Sequence, residues 1–351
     1  MQSLKALIVV LMALLLASCG GGSGSTSTLA SSILGLTLDD LASPTKLFIA
    51  NADNQTIQTL DLSTNVVSTL AGSAGNAGST NATGSSARFY EPFAITKLGS
   101  DLYIADTYNF TIRKLTTTGV ATTLAGTVGA SGSNDATGTS ATFNIAKGIT
   151  GFGNFLYLAD TYNQTIRKID ITTGGVSTLA GYAGATGTTD NATGSSARFN
   201  YPYGLTTIDG SNIYVSDTLN QTIRVVTAAG AVTTLAGSAG NLGATDALGS
   251  SAKFNYPAGI AIDSSGANLY VADSSNHVIR KIVIVSGAVT TLAGTAGTAG
   301  STDGTGANAR FNTPIGIVID NAGNLYVTDQ AYSKVRKVTT AGVVTTLGAT
   351  F

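Results

Sequence analysis

Five aspartates recur along the chain at intervals of 54 to 57 residues: Asp106, Asp160, Asp217, Asp273 and Asp329. Carboxylates at one point of a repeated unit can converge as a polar ring. With backbone carbonyls, such a ring can hold a hard cation such as Ca²⁺. The simpler chemistry is local, each aspartate accepting hydrogen bonds from its own turn, with the pair Asp106 and Asn109 as the pattern. Because every full unit carries the residue, the local role is the expected one, and no metal or other cofactor is assigned. An arginine follows each aspartate seven residues later: Arg113, Arg167, Arg224, Arg280 and Arg336. If Asp106 lies near Phe110 across a hairpin, Arg113 falls opposite Tyr103. An arginine over an exposed ring contributes about 0.5–1 kcal/mol, so these residues are expected to be structural struts.

Other reactive side chains are scarce. His277 is the one histidine, Glu91 the one glutamate and Cys19 the one cysteine. A zinc site built on several histidines and a histidine-dependent triad are therefore excluded, and general acid–base chemistry is short of candidates. Only 11% of residues are charged and the net charge is −1, which gives no reason to expect nucleic acid as a partner.

The amino terminus reads as an address. Lys5 precedes an unbroken apolar run over residues 6–16, too short to span a bilayer and suited to a signal peptide. Leu16-Ala17-Ser18-Cys19 resembles the lipobox of bacterial lipoproteins. This implies removal of residues 1–18, acylation of Cys19 and insertion of the chains into a lipid bilayer, each buried CH₂ contributing about 0.8 kcal/mol. Residues 19–33 follow as a flexible tether rich in Gly, Ser and Thr. The expected location is the bacterial cell envelope, on the outer membrane or cell surface.

The aspartates close a repeated element. Leu102-Tyr103-Ile104-Ala105-Asp106 returns as Leu156-Tyr157-Leu158-Ala159-Asp160 and three more times, with a weaker first copy, Leu47-Phe48-Ile49-Ala50-Asn51. The fifth unit shows four short apolar runs, over residues 259–263, 268–273, 278–282 and 288–292. Each is rich in Val, Ile, Tyr or Thr and bounded by turn formers, which predicts strands. Connections too short for crossover helices make them antiparallel meanders, and runs apolar on both faces must be covered on both sides. Six such units over residues 34–351 predict an all-β, six-bladed β-propeller of four-stranded antiparallel blades, closed by packing of the last blade on the first. The innermost strand of blade one is expected at residues 35–39.

The string from Phe311-Asn312-Thr313-Pro314 through Leu325-Tyr326-Val327-Thr328-Asp329 to Val335-Arg336-Lys337 is similar to NHL repeats, as is Asn276-His277-Val278-Ile279-Arg280-Lys281. The resemblance implies a six-bladed propeller. Relatives of that family include lyases and lactonases that use several histidines or a carboxylate-held metal. Departures are Asn51 and Gln58 in blade one and Tyr332 in blade six.

Between blades lie five loops of about twenty residues with a shared pattern: Asn81-Ala82-Thr83-Gly84, Asp135-Ala136-Thr137-Gly138, Asn191-Ala192-Thr193-Gly194, Asp246-Ala247-Leu248-Gly249 and Asp303-Gly304-Thr305-Gly306. The repetition points to a common folded shape held by Asx turns and glycines. A binding site usually breaks the symmetry of its scaffold. The expected function is that of a non-catalytic, lipid-anchored binding or scaffold protein whose long-loop face recognises a protein or glycan. The alternatives are a calcium-dependent lactonase or lyase and a structural surface-coat protein.

Overall fold

The computed structural model describes residues 32–348 and 351, so the cleavage site and Cys19 lie outside the described residues. It is an all-β, six-bladed propeller. The blades cover residues 33–72, 92–125, 148–181, 202–237, 257–293 and 314–347, and each is a four-stranded antiparallel meander taken in chain order, the loop pair Gly304–Thr305 adding a short fifth strand to the outer edge of blade six. Blade five matches the predicted runs closely: Pro257–Ile262, Asn268–Asp273, Val278–Val283 and Ala288–Ala293. The first strand of blade one is Ile33–Leu38, so it begins within the segment expected to be tether.

The second and third strands of blades two to six are joined by one turn of 3₁₀ helix followed by a left-handed residue. In blade five the turn is Ser274–Asn276 and His277 has φ 59°. This connection sets the register, in which Asp106 faces Thr111 and Ile104 faces Arg113. Arg113 thus lies one position from the expected place opposite Tyr103, because the three-residue helix and its left-handed cap lengthen the hairpin.

Apolar clusters lie between blades. One joins Ala261, Tyr270 and Ile279 of blade five to Ile317, Leu325 and Val327 of blade six. At the seam, Leu36, Leu47 and Ile49 of blade one meet Tyr326 and Val335 of blade six. The seam is bonded as well as packed: Thr328 Oγ1 donates to the Leu34 carbonyl at 2.9 Å, and the Asn321 amide donates to the Leu41 carbonyl at 2.7 Å. Glycine is required at this contact. A Cβ on Gly316 would sit 2.2 Å from the Leu34 carbonyl oxygen, and one on Gly148 would sit 1.8 Å from that of Tyr203. Neighbouring inner strands therefore approach through bare α-carbons.

The long loops do more than stand on one face. Each inner strand starts beside the end of the second strand, as Pro92 beside Asp106, so the loop ends and the 3₁₀ turns share a face. The outer strand returns to that face from the opposite one, beginning at Ala121. Thr83 bridges Val120 at that far end, and the Ala121 amide donates to the Ala82 carbonyl. Each loop thus runs down the outer edge of the blade it precedes before returning to the shared face. An outer strand would otherwise present unpaired backbone groups, and the loop covers it.

Candidate functional site

All five aspartates of the expected ring are buried, each bound within its own blade and the loop before it. Asp217 is typical. Its Oδ1 accepts the Asn200 amide at 2.7 Å, and its Oδ2 accepts Asn220 Nδ2 at 2.7 Å and Arg224 Nη1 at 2.6 Å. Asp106, Asp160 and Asp273 repeat all three bonds. In blade six, where Tyr332 replaces the asparagine, Asp329 accepts the Asn312 amide and Arg336. Burial pushes these carboxyls up to about 6, the arginine and hydrogen bonds offsetting only part of the cost. Both oxygens of each side chain are engaged, so the aspartates do not face a common centre as free ligands. No group of three or more His, Cys, Asp or Glu side chains able to hold a metal occurs among the described residues.

Each arginine is equally committed. Arg224 lies over the Phe199 ring at 5.1 Å, and Nη2 reaches the loop acid Asp190. Arg113, Arg167, Arg280 and Arg336 stack on Phe89, Phe143, Phe254 and Phe311 and reach Asn81, Asp135, Asp246 and Asp303. The stacking partner is thus the phenylalanine at the loop end and not the tyrosine expected from pairing. In the fourth blade the loop acid is Asp190, one residue before the Asn191 that the sequence pattern aligns. These loop acids also bind the bulged outer strand, as Asp190 does at the Thr234 amide, 2.9 Å away. The shared loop pattern therefore serves to pin each loop.

Symmetry fails in chemistry at the mouth of the central channel, on the face shared by loop ends and 3₁₀ turns. The second residue of the inner strand is Leu34, Phe93, Tyr203, Ala258 or Ile315 in five blades, and Lys147 holds the equivalent place in blade three. Lys147 is the one charged residue lining the cavity among the described residues. Its Nζ sits 4.7 Å from the Phe93 ring centre, 5.3 Å from that of Tyr201 and 5.8 Å from that of Tyr203. Phe93 and Tyr203 meet edge to face at 5.3 Å, as do Tyr162 and Tyr201 at 5.4 Å. Outside them Tyr90 and Tyr108 pair at 5.4 Å, each about two-fifths exposed. Blades two to four thus supply an aromatic half-rim, while blades five, six and one present Ala258, Ile315 and Leu34.

Physical causes account for the charge state of this rim. Burial holds the Lys147 ammonium below its usual pKa, Tyr162 and Glu91 only partly restoring it. Glu91 is raised by burial and by Asp53, and Tyr203 well above its usual value by burial. The loop residue before the inner strand is left-handed and not glycine: Glu91, Ile145, Tyr201, Tyr256 and Thr313 have φ between 47° and 63°. Non-glycine residues persist in this region only where their surroundings over-determine them. Part of the support comes from the previous blade. Gln55, Gln164 and Gln221 Oε1 accept the amides of Glu91, Tyr201 and Tyr256, and His277 Nδ1 accepts that of Thr313 at 3.1 Å. His277, singled out as the lone histidine, thus stands in for glutamine. The inner-strand positions Leu36, Ile95, Ile149, Leu205, Ile260 and Ile317 line the apolar channel. Lys147 and its rings were missed from sequence, although the variation at one repeat position was visible there.

The comparisons agree with this architecture. A model of the NHL repeat matches residues 254–282. NHL repeat-containing protein 2 of Homo sapiens is 29% identical over 278 residues, which is 70% of this chain and 38% of that protein. The chain therefore spans well under half the length of this relative. An auxiliary nutrient binding protein from Bacteroides thetaiotaomicron has a similar fold, with a TM-score of 0.65 and 17% identity over 91% of this chain and 70% of that one. Virginiamycin B lyase from Staphylococcus aureus follows at a TM-score of 0.54 and 12% identity, over 92% and 85% of the two chains. With the six repeats of the sequence, these matches support an NHL-repeat β-propeller.

Proposed function

We propose that this is a non-catalytic binding protein, held on a bacterial cell envelope through acylated Cys19, which recognises a glycan at the channel mouth. The observation that carries the reading is the aromatic half-rim of blades two to four around Lys147. Repeated features are accounted for by the fold, whereas this one departs from the repeat and holds a partly buried cation without a salt bridge among the described residues. Aromatic faces beside a narrow recess suit the apolar face of a sugar ring. The cavity volume is about 70 Å³, enough for one end of a sugar. Nutrient capture, as in the name of the structurally similar Bacteroides proteins, is compatible with this reading, and the likeness to them is one of fold.

Two experiments test it. Binding of the purified full chain to a glycan array is expected, and substitution of Tyr108 by Ala should weaken it. A blank array would remove the glycan reading. Intact-mass analysis of wild type and Cys19→Ser is expected to show an acyl mass on the first alone, with release of the second into the soluble fraction. An unchanged mass would remove the anchor.

A further inference from the structure

Resting on the glycan reading, we propose that the ligand is an acidic sugar whose carboxylate pairs with Lys147 at the channel mouth. Three observations lead there. The Lys147 ammonium makes no ion pair or hydrogen bond among the described residues, yet three aromatic rings hold it in place. Among the described residues no other charged side chain lines the cavity, so an anion entering it meets one positive charge and no competing carboxylate in that wall. Glu91 is near enough to act electrostatically, but forms no salt bridge with the lysine.

Charge and shape then select the ligand. Burying a cation without a counter-charge is costly, consistent with the lowered pKa of this amine, and a ligand carboxylate supplies the missing partner. Such a bond is charge-assisted and formed in a partly dehydrated recess, where it is stronger than in water. The exposed pair Tyr90 and Tyr108, outside these rings, offers aromatic surface to the sugar carrying the acid. Each inner strand is the edge of its sheet, with no strand paired on its inner side. A neutral sugar would leave the ammonium unpaired, and a large polyanion would find only one positive charge.

The test uses the full chain with trigalacturonate, its methyl ester and galactotriose as probes, followed by titration calorimetry. Wild type is expected to bind trigalacturonate at least tenfold more tightly than either neutral probe. Lys147→Met should lose that preference and Lys147→Arg should keep it. The methyl ester removes the charge from the ligand, so the comparison holds even if Lys147→Met fails to fold. Equal binding of acid and ester by wild type would overturn the proposal and leave glycan recognition standing. Binding of none of the three, with a blank glycan array, would overturn both.

Discussion

In the outer half of each blade from two to six, the aspartate, arginine, phenylalanine and loop partner are the same constellation five times over. At the channel mouth, six equivalent positions hold leucine, phenylalanine, lysine, tyrosine, alanine and isoleucine. Both regions contain a basic group against aromatic rings. In the first, the cation has a carboxylate at 2.6–2.9 Å and no exposure. In the second, the cation has rings and no salt bridge among the described residues. A repeated, saturated site holds the blades, and an unrepeated, unsaturated one is left to meet something else. Blade one sharpens the lesson. Its Asn51 Nδ2 donates to Gln58 Oε1 at 2.9 Å, a neutral copy of the pair, and among the described residues no long loop precedes it to supply the second partner of an arginine.

The largest effect should come from breaking one saturated pair. Asp217→Ala leaves Arg224 buried without its principal partner and is expected to cost about 3–5 kcal/mol in denaturant unfolding. The double change Asp217→Asn with Arg224→Gln, which copies blade one, should recover most of that loss. No recovery would mean that the neutral pair of blade one depends on features of that blade alone. Next is the seam, where Gly316→Ala drives a methyl group into the Leu34 carbonyl and is expected to cost about 1–3 kcal/mol by thermal melting. The mouth should respond differently. Tyr108→Ala, at an exposed ring, should change stability by no more than about 0.5 kcal/mol while weakening glycan binding severalfold.

Smallest is a pH effect at His277. Burial lowers its pKa in the fold, and Nδ1 must stay unprotonated to accept the Thr313 amide. The unfolded chain protonates first, near about 6.5, so this contribution is complete above that pH and declines as pH falls through it. His277→Gln should flatten the stability profile between about pH 7 and 5 while leaving stability at neutral pH unchanged. A profile that keeps its slope would assign the dependence to other groups.

Much of the fold was legible because recurrence averages out local ambiguity. Six copies of the second strand set the blade number, and the strand limits of blade five followed from turn residues on either side. Register was not legible. Arg113 faces Ile104 because a left-handed Phe110 follows the 3₁₀ turn, and nothing in Thr107-Tyr108-Asn109-Phe110 announces that geometry. The local role expected for the aspartates agrees with their bonds to Asn109 and its equivalents, but burial against an arginine could not be read from spacing. Nor could the path of the loops, since residues such as Thr83 find their partners only after the outer strand exists. Lys147 was legible in principle. Written under its equivalents, it is the one charge in a column of apolar and aromatic residues.

The side chains that tie one blade to the backbone of the next do not run all the way round. Gln55, Gln164, Gln221 and His277 each latch a left-handed neighbour, but Phe110 has no acceptor to offer Ile145. At that junction Thr107 Oγ1 still reaches the Ala146 carbonyl at 2.8 Å. The junction between blades two and three, one strand start away from Lys147, therefore lacks this latch and is held by that bond and by an apolar cluster that includes Ala94, Tyr103, Ile149 and Leu156. Local opening governs amide hydrogen exchange, and the Ile145 amide should exchange faster than those of Tyr201 and Tyr256. The lysine then sits beside a joint without that latch, and a ligand bridging Phe93 and Lys147 would supply there a fastening that glutamine or histidine supplies at other junctions.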